Sequence, residues 1–219
     1  VDTLRSRWHA DVIALCPAAD GQLVAAEGTS LLDRWLEDHR SYHDAVHLAE
    51  VLAALDELHE GGDLPARERH LAGLVAWYHD AVYDPAAAPG ANEEASADVA
   101  QERLTALGAD PSDVAVIVRL IRESATHEMT TSDATTRAFH DADLWILSAD
   151  AERFDAYCHQ VRIEYGMFAA ADYARGRIAV LTPFVERERL YLTDQAHERW
   201  TERARLNLRR EIDRLAGPA

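Results

Sequence analysis

Apolar residues recur along this chain at intervals of three and four, and nothing reads as a series of alternating strands, so the pattern predicts helices. Leu4, Trp8, Val12 and Leu15 mark a first helix over 4–15, which Pro17 ends. A second covers about 20–38, with Leu31, Leu32, Trp35 and Leu36 on its apolar side. In a third, about 42–59, His47, Val51, Leu55 and Leu58 share one face, and His43 lies one turn before His47. Gly61-Gly62 stops it, and Pro65 suits the first turn of a fourth helix that ends around residue 83. The segment 84–90, with two prolines and a glycine, is a loop.

Asn92 is read as the cap of a fifth helix, with Glu93 and Glu94 in its first turn, reaching about 107–108. Asp110-Pro111 opens a sixth, which carries Val114, Ile117, Val118 and Ile121. A Thr- and Ser-rich loop at 126–132 precedes a seventh over about 133–147. Two longer helices follow near 151–167 and 172–191, and a last amphipathic one runs from a Thr193 cap to about 215. No linker, composition shift or repeat divides the chain. The expectation is one all-α domain over 1–219, a bundle of about eight to ten helices.

Composition narrows what such a bundle does. The chain has 22 Lys plus Arg against 39 Asp plus Glu, a formal net charge of -17. A surface of that sign repels phosphate backbones, so no stable nucleic-acid complex is expected, whereas a small phosphate-bearing substrate held by local arginines remains compatible. Every Lys-or-Arg position is Arg. Without lysine there is neither a Schiff base nor a Walker-type phosphate loop. No G-x-G-x-x-G or G-x-S-x-G stretch occurs. Cys16 and Cys158 stand far apart and read as reduced core thiols. The first residues show no charged-then-apolar leader pattern, and no apolar run reaches the length of a membrane span. A cytoplasmic protein with no membrane contact is expected, and a homo-oligomer is compatible with this composition.

The candidate chemistry begins at His79-Asp80, an imidazole and a carboxylate at the end of an apolar run. Both are good ligands for a divalent metal. On consecutive helical positions they stand about 100° apart and can face one centre. An isolated inward His is more often a hydrogen-bonded core residue. The rest of the chain shifts that balance: His47 on the third helix and Asp143 on the seventh lie in apolar surroundings, where each needs a partner. One shared cation would satisfy all four and leave positions for water and substrate.

The order His47, then His79-Asp80, then Asp143 on an all-helical chain resembles the HD-domain superfamily of metal-dependent phosphohydrolases. Arg40-x-Tyr42-His43-x-x-x-His47, His79-Asp80-Ala81-Val82-Tyr83-Asp84, Asn92-Glu93-Glu94 and Asp141-Ala142-Asp143-Leu144 are similar to a bacterial subgroup of predicted HD phosphohydrolases. So are Val161-Arg162-x-Glu164-Tyr165, Gly176-Arg177 and Ala204-Arg205-x-Asn207-Leu208, so the likeness spans roughly 35–212. It implies an HD-like bundle with a metal-site core at about 35–150 and C-terminal helices at about 151–215. It also implies His47, His79, Asp80 and Asp143 as ligands of a divalent ion (Mn, Mg, Zn, Fe, Co or Ni), with Asp80 at the catalytic centre.

Further residues follow from the same resemblance. His43 and His127 stand where two-metal members carry extra histidines. His43 serves a second metal, a substrate phosphate or merely the backbone at a helix start, and His127 is either functional or a solvated loop residue. Glu93 or Glu94 is expected as general acid or base, against the plainer reading of both as helix-start acids. Asp141 either supports a ligand His or is a helix-start acid. Arg40, Arg162 and Arg177, with Arg205 beside them, are candidates for substrate phosphate, against the plainer reading of each as a salt-bridge partner.

The implied activity is hydrolysis of a small phosphate ester or anhydride, on a nucleotide or phosphometabolite. The alternatives are an HD-type di-iron oxygenase, which His43 and His127 would favour, and a non-catalytic metal- or nucleotide-binding regulatory module. Against the last stands the lack of any effector segment or DNA-reading helix.

Overall fold

The computed structural model describes residues 1–217 and contains ten α-helices, no strand among them. They are α1 (Asp2–Leu15), α2 (Gly21–Trp35), α3 (Ala45–Glu60), α4 (Ala66–Tyr78), α5 (Ala91–Ala106), α6 (Pro111–Ser124), α7 (Ala134–Asp143), α8 (Ala151–Glu164), α9 (Ala170–Glu186) and α10 (Asp194–Ala216), with a 3-10 turn at Leu144–Ser148. The all-α expectation holds, and the helix count falls within the expected range.

α4 is the axis. Every residue from Leu71 to Tyr78 is buried, so this helix is apolar on all sides and takes neighbours all round. α1, α3, α6 and α7 pack against it, α2 lies on α1, and α5 pairs with α6. α10 lies against α9 and the 3-10 turn. The buried apolar side chains form one cluster from Trp8 to Leu208. Among the described residues, no helix is long and apolar enough to cross a membrane.

The caps explain most boundaries. Asp20, Asp44, Asp110, Asp133, Asp150 and Thr193 each accept backbone N–H groups in the first turn of their helices. Gly62 and Gly108 follow α3 and α5 with φ of +93° and +81°, the left-handed conformation that glycine adopts without strain.

Several expected boundaries move, for traceable reasons. Asn92 is not the cap of α5; Gly90 is, and the Asn92 amide instead bridges back to the Asp84 backbone at 3.0 and 3.1 Å. α3 begins at Ala45 rather than 42, because Asp44 is extended and caps it through Val46 N and His47 N, while the Glu164 carboxylate holds the preceding N–H groups of Ser41, Tyr42 and His43 at 2.7–2.9 Å. α4 stops at Tyr78, not near 83. A continuing helix would bond the Ala76 and Trp77 carbonyls to residues 80 and 81, but His79 Nδ1 takes the first at 2.9 Å and Trp35 Nε1 the second at 3.0 Å. Residues 187–191, expected in the ninth helix, are loop, braced by Arg205 through the Arg187 and Glu188 carbonyls.

Candidate metal centre

Three segments meet at the floor of one cleft. α3 supplies His47 from its first turn, the end of α4 supplies His79 and Asp80, and α7 supplies Asp143 as its last residue. His47 Nε2 lies 3.3 Å from His79 Nε2, 3.9 Å from Asp80 Oδ2 and 3.3 Å from Asp143 Oδ1. His79 Nε2 lies 3.2 Å from Asp80 Oδ2 and 3.3 Å from Asp143 Oδ1. Ligand atoms of His47, His79 and Asp80 fall within 4.8 Å of one another, a set that could hold a metal ion. Asp80 sits in the turn after α4 rather than on the helix itself. The convergence arises because α4 ends here, not because two helical positions stand side by side.

Local chemistry fixes these groups. His79 Nδ1–H donates to the Ala76 carbonyl, so its Nε2 lone pair is the one turned toward the cluster. The rings of Trp35 and Phe139 stand 5.6 Å from the His79 ring and keep its surroundings apolar. Burial disfavours charge on that imidazole, yet the carboxylates of Asp80 and Asp143 outweigh it and raise its pKa well above the ordinary value. Burial likewise opposes ionisation of Asp80 and Asp143, and the facing histidines, His79 foremost, hold both below the usual carboxylate range. Two carboxylates at this depth demand positive charge between them, which a proton or a divalent ion supplies.

His43 and His127 both line the cleft. His43 precedes α3 rather than lying on it, and its Nδ1 is 2.7 Å from Glu164 Oε2, so Nε2 is the nitrogen left for a ligand. Glu164 also accepts from the Tyr83 hydroxyl at 2.9 Å. Burial opposes its charge, but the His43 ring and the three backbone N–H groups bring it down to about 2. His127 holds a φ of +52°, Nε2 lies 3.9 Å from Asp143 Oδ2, and Nδ1 is buried without a hydrogen-bond partner. Burial, with His140 and Arg187 adding to it, pushes its pKa down to about 4, against the pull of Asp143. It is not the solvated loop residue of the plainer reading.

The structure separates the two expected acids. Glu93 lines the cleft, and burial together with nearby Asp80 raises its carboxyl pKa. Glu94 points to solvent, where Arg122 holds it bidentately at 2.7 and 2.8 Å, so it is a surface ion pair and not a catalytic group. Asp141 supports no ligand His. It is fully buried and anchors the start of α10 through Leu192 N, Thr193 N and Thr193 Oγ1, each at 2.7 Å.

The arginines also divide. Arg40 is buried and its donors go to the carbonyls of His43 (2.9 Å), Asp80 (2.8 Å) and Ala81 (3.3 Å), so it clamps two site segments together and offers no fork to a phosphate. Arg162 caps the end of α8 through the Tyr165 and Phe168 carbonyls and is no cleft residue either. Arg205, as described, braces a loop. Arg177 does line the cleft, bonded to the Tyr157 hydroxyl, with its Nε buried and unpartnered.

Two site residues escaped sequence reasoning. Glu164 lies in the Val161-Arg162-x-Glu164-Tyr165 stretch, whose spacing alone gives it no role. The available signal was a carboxylate continuing the buried stripe of Phe154, Tyr157 and Val161 on α8. Arg187 lines the cleft just past α9, and no pattern in the sequence marks it. The cleft above the four converging groups encloses about 700 Å³. No family model, curated protein or solved structure matches this chain, so the likeness to HD proteins rests on the ordered residues themselves.

Proposed function

We propose that this chain is a metal-dependent phosphohydrolase of the HD type, acting on a small phosphate ester or anhydride. The observation that carries the reading is the convergence of two imidazoles and two carboxylates at 3.2–3.9 Å, with no guanidinium within ion-pair distance of either carboxylate among the described residues. His47, His79 and Asp80 would hold the ion, with Asp143 as fourth ligand. These imidazole and carboxylate donors suit Mn, Mg, Zn, Fe, Co or Ni. When bound, the ion supplies Lewis acidity at phosphorus and lowers the pKa of water.

The chain's own groups then have defined tasks. Glu93, kept basic by burial beside Asp80, accepts a proton at its carboxylate. Its place at the N-terminus of α5 directs it into the cleft while Glu94 turns away. Glu164 holds the His43 ring by Nδ1, which presents Nε2 to a phosphoryl oxygen or leaving group. Arg40 keeps the His43 and Asp80 backbones in fixed relation, a positioning role. Arg177 and Arg187 offset negative charge developing on the phosphoryl group.

The test is elemental analysis of the purified protein followed by a phosphate-release screen with Mn, Mg, Zn, Co, Ni and Fe. Stoichiometric metal with metal-dependent release is expected. A protein that takes up no divalent ion sinks the reading. A second reading, an HD-type di-iron oxygenase, is favoured by His127 Nε2 lying 3.9 Å from Asp143 Oδ2, where a second ion would find a ligand. Two irons per chain with oxygen-dependent turnover would select it.

A further inference from the structure

The cleft is much larger than a phosphate needs, and its two ends differ in chemistry. The floor carries His47, His79, Asp80 and Asp143. The wall contributed by α8, α9 and the turn between them carries Tyr157, Tyr165, Phe168, Tyr173, Val180 and Phe184. Sites of this size bury most of a ligand against apolar and aromatic groups and use a few polar ones for orientation. Phe168 and Val180 stand at 45% and 53% exposure on that wall, apolar surface that an apolar ligand would cover.

The cationic resources of the cleft are small and countable. Arg177 and Arg187 are the arginines that line it, and they share it with Glu93, Glu128 and Asp172. Arg177 commits one nitrogen to the Tyr157 hydroxyl and lies 5.1 Å from that ring's centre. Arg187 leans on the Phe184 ring at 4.8 Å and makes no ion pair among the described residues. One divalent ion and two guanidinium groups match a dianionic phosphate monoester. Each further phosphate adds charge that would face the three acids, on a chain whose net charge is already -17.

Resting on the phosphohydrolase reading, we propose that the substrate is a phosphate monoester with a flat, largely apolar organic part seated on the α8–α9 wall, and that polyphosphates are refused. Arg187 is its principal free cation, and Phe168 with Val180 is its apolar rim. Binding and turnover separate the two halves of this statement.

Calorimetry on the Mn-loaded protein compares phenylphosphonate with methylphosphonate, which differ in the organic part alone. Turnover compares adenosine monophosphate with adenosine triphosphate at matched free Mn, which share the organic part and differ in phosphate number and in the bond that reacts, an ester against a more labile anhydride. Phenylphosphonate is expected to bind about tenfold more tightly than methylphosphonate, and kcat/KM to favour the monophosphate by a similar factor. Phe168→Ala, at an exposed position that does not threaten folding, should cut the phenyl preference about threefold. Arg187→Ala should weaken both phosphonates together by about tenfold. Equal affinity for the two phosphonates, or a preference for the triphosphate, overturns the inference. Phenylphosphonate bound preferentially with no phosphate released from any ester supports the ligand class while overturning the hydrolase reading.

Discussion

Two clusters of buried and part-buried Asp and His lie against the same central helix, and they are balanced in different ways. Near the start of α4, Asp11 meets the Arg69 guanidinium, His70 Nδ1 at 2.9 Å and Arg7 Nε at 3.6 Å. Asp56 pairs with the same two arginines, at 2.8 Å to Arg7 and 3.0 Å to Arg69. Two carboxylates thus face two guanidinium groups, although burial still raises the Asp11 carboxyl to about 6 against the pull of His70 and Arg7. At the other end of α4, Asp80 and Asp143 face His47 and His79 with no arginine in reach among the described residues. Acids set among imidazoles with no permanent cation in reach draw positive charge, which a proton on His79 supplies and a divalent ion could supply in its place. The first cluster ties α1 and α3 to α4, and the second includes a set of ligand atoms that could hold a metal ion.

The largest test of that contrast is metal retention. His79→Ala or Asp80→Ala is expected to abolish bound metal by elemental analysis, and full occupancy in either variant would break the assignment. Arg69→Met should leave metal content as it is, yet strip Asp11 of its closest cation and cost about 1–3 kcal/mol in urea denaturation, since His70 and Arg7 remain beside the carboxylate. Asp143→Asn sharpens the comparison by its dependence on conditions. Without metal it removes a carboxylate that His79 and His47 stabilise, so the metal-free variant is expected to be less stable than the metal-free wild type at neutral pH. With metal at about a hundredfold above Kd, the wild type gains about 2.7 kcal/mol and the variant less.

Protons give the next effect in size. In the metal-free protein the raised pKa of His79 contributes stability that is present below about 6.5 and lost as pH rises through the higher folded value. The lowered pKa values of Asp80 and Asp143 contribute stability that is present above about 3.9 and lost as pH falls through the folded values. Metal added in weak buffer near neutral pH should therefore displace the imidazole proton into solution, and the loaded protein should keep its melting temperature on the alkaline side. Metal uptake with no proton release at neutral pH would contradict the His79 environment described above.

Much of this was legible in the chain, and the residues that were not share a cause. Caps at Asp110 and Thr193, the glycine stops and the apolar stripes are local signals, so the helices follow from neighbours in sequence. The order of His47, His79-Asp80 and Asp143 pointed to residues that the fold does bring together, because polar side chains set in apolar runs need partners. The partners of Arg40 and Glu94 are not legible in sequence, because an arginine or a glutamate looks the same whether it meets a ligand, a carbonyl or Arg122. The true end of α4 depended on the Trp35 indole taking a carbonyl 42 residues away, which no local pattern announces. Glu164 reaches the 41–43 backbone across more than 120 residues for the same reason.

The smallest expected effect asks whether the two clusters are coupled through the helix they share. A Cβ on Gly73 would come within 2.7 Å of Asp11 Oδ2 and 3.0 Å of its Cγ, so α4 approaches the Asp11 carboxylate only because this position has no side chain. Gly73→Ala gains about 1 kcal/mol in helix propensity. It loses about 1–3 kcal/mol to overpacking against a carboxylate that Arg69 and His70 hold in place. A net loss on the order of 1 kcal/mol in urea denaturation is expected. His79 lies six residues further along α4, and its ring is held by Ala76, Trp35 and Phe139 rather than by anything near Asp11. Metal affinity should therefore stay within a factor of about two of wild type. A large loss of metal affinity together with the stability loss would mean that the arginine-balanced cluster sets the geometry of the other, and the two would have to be treated as one site.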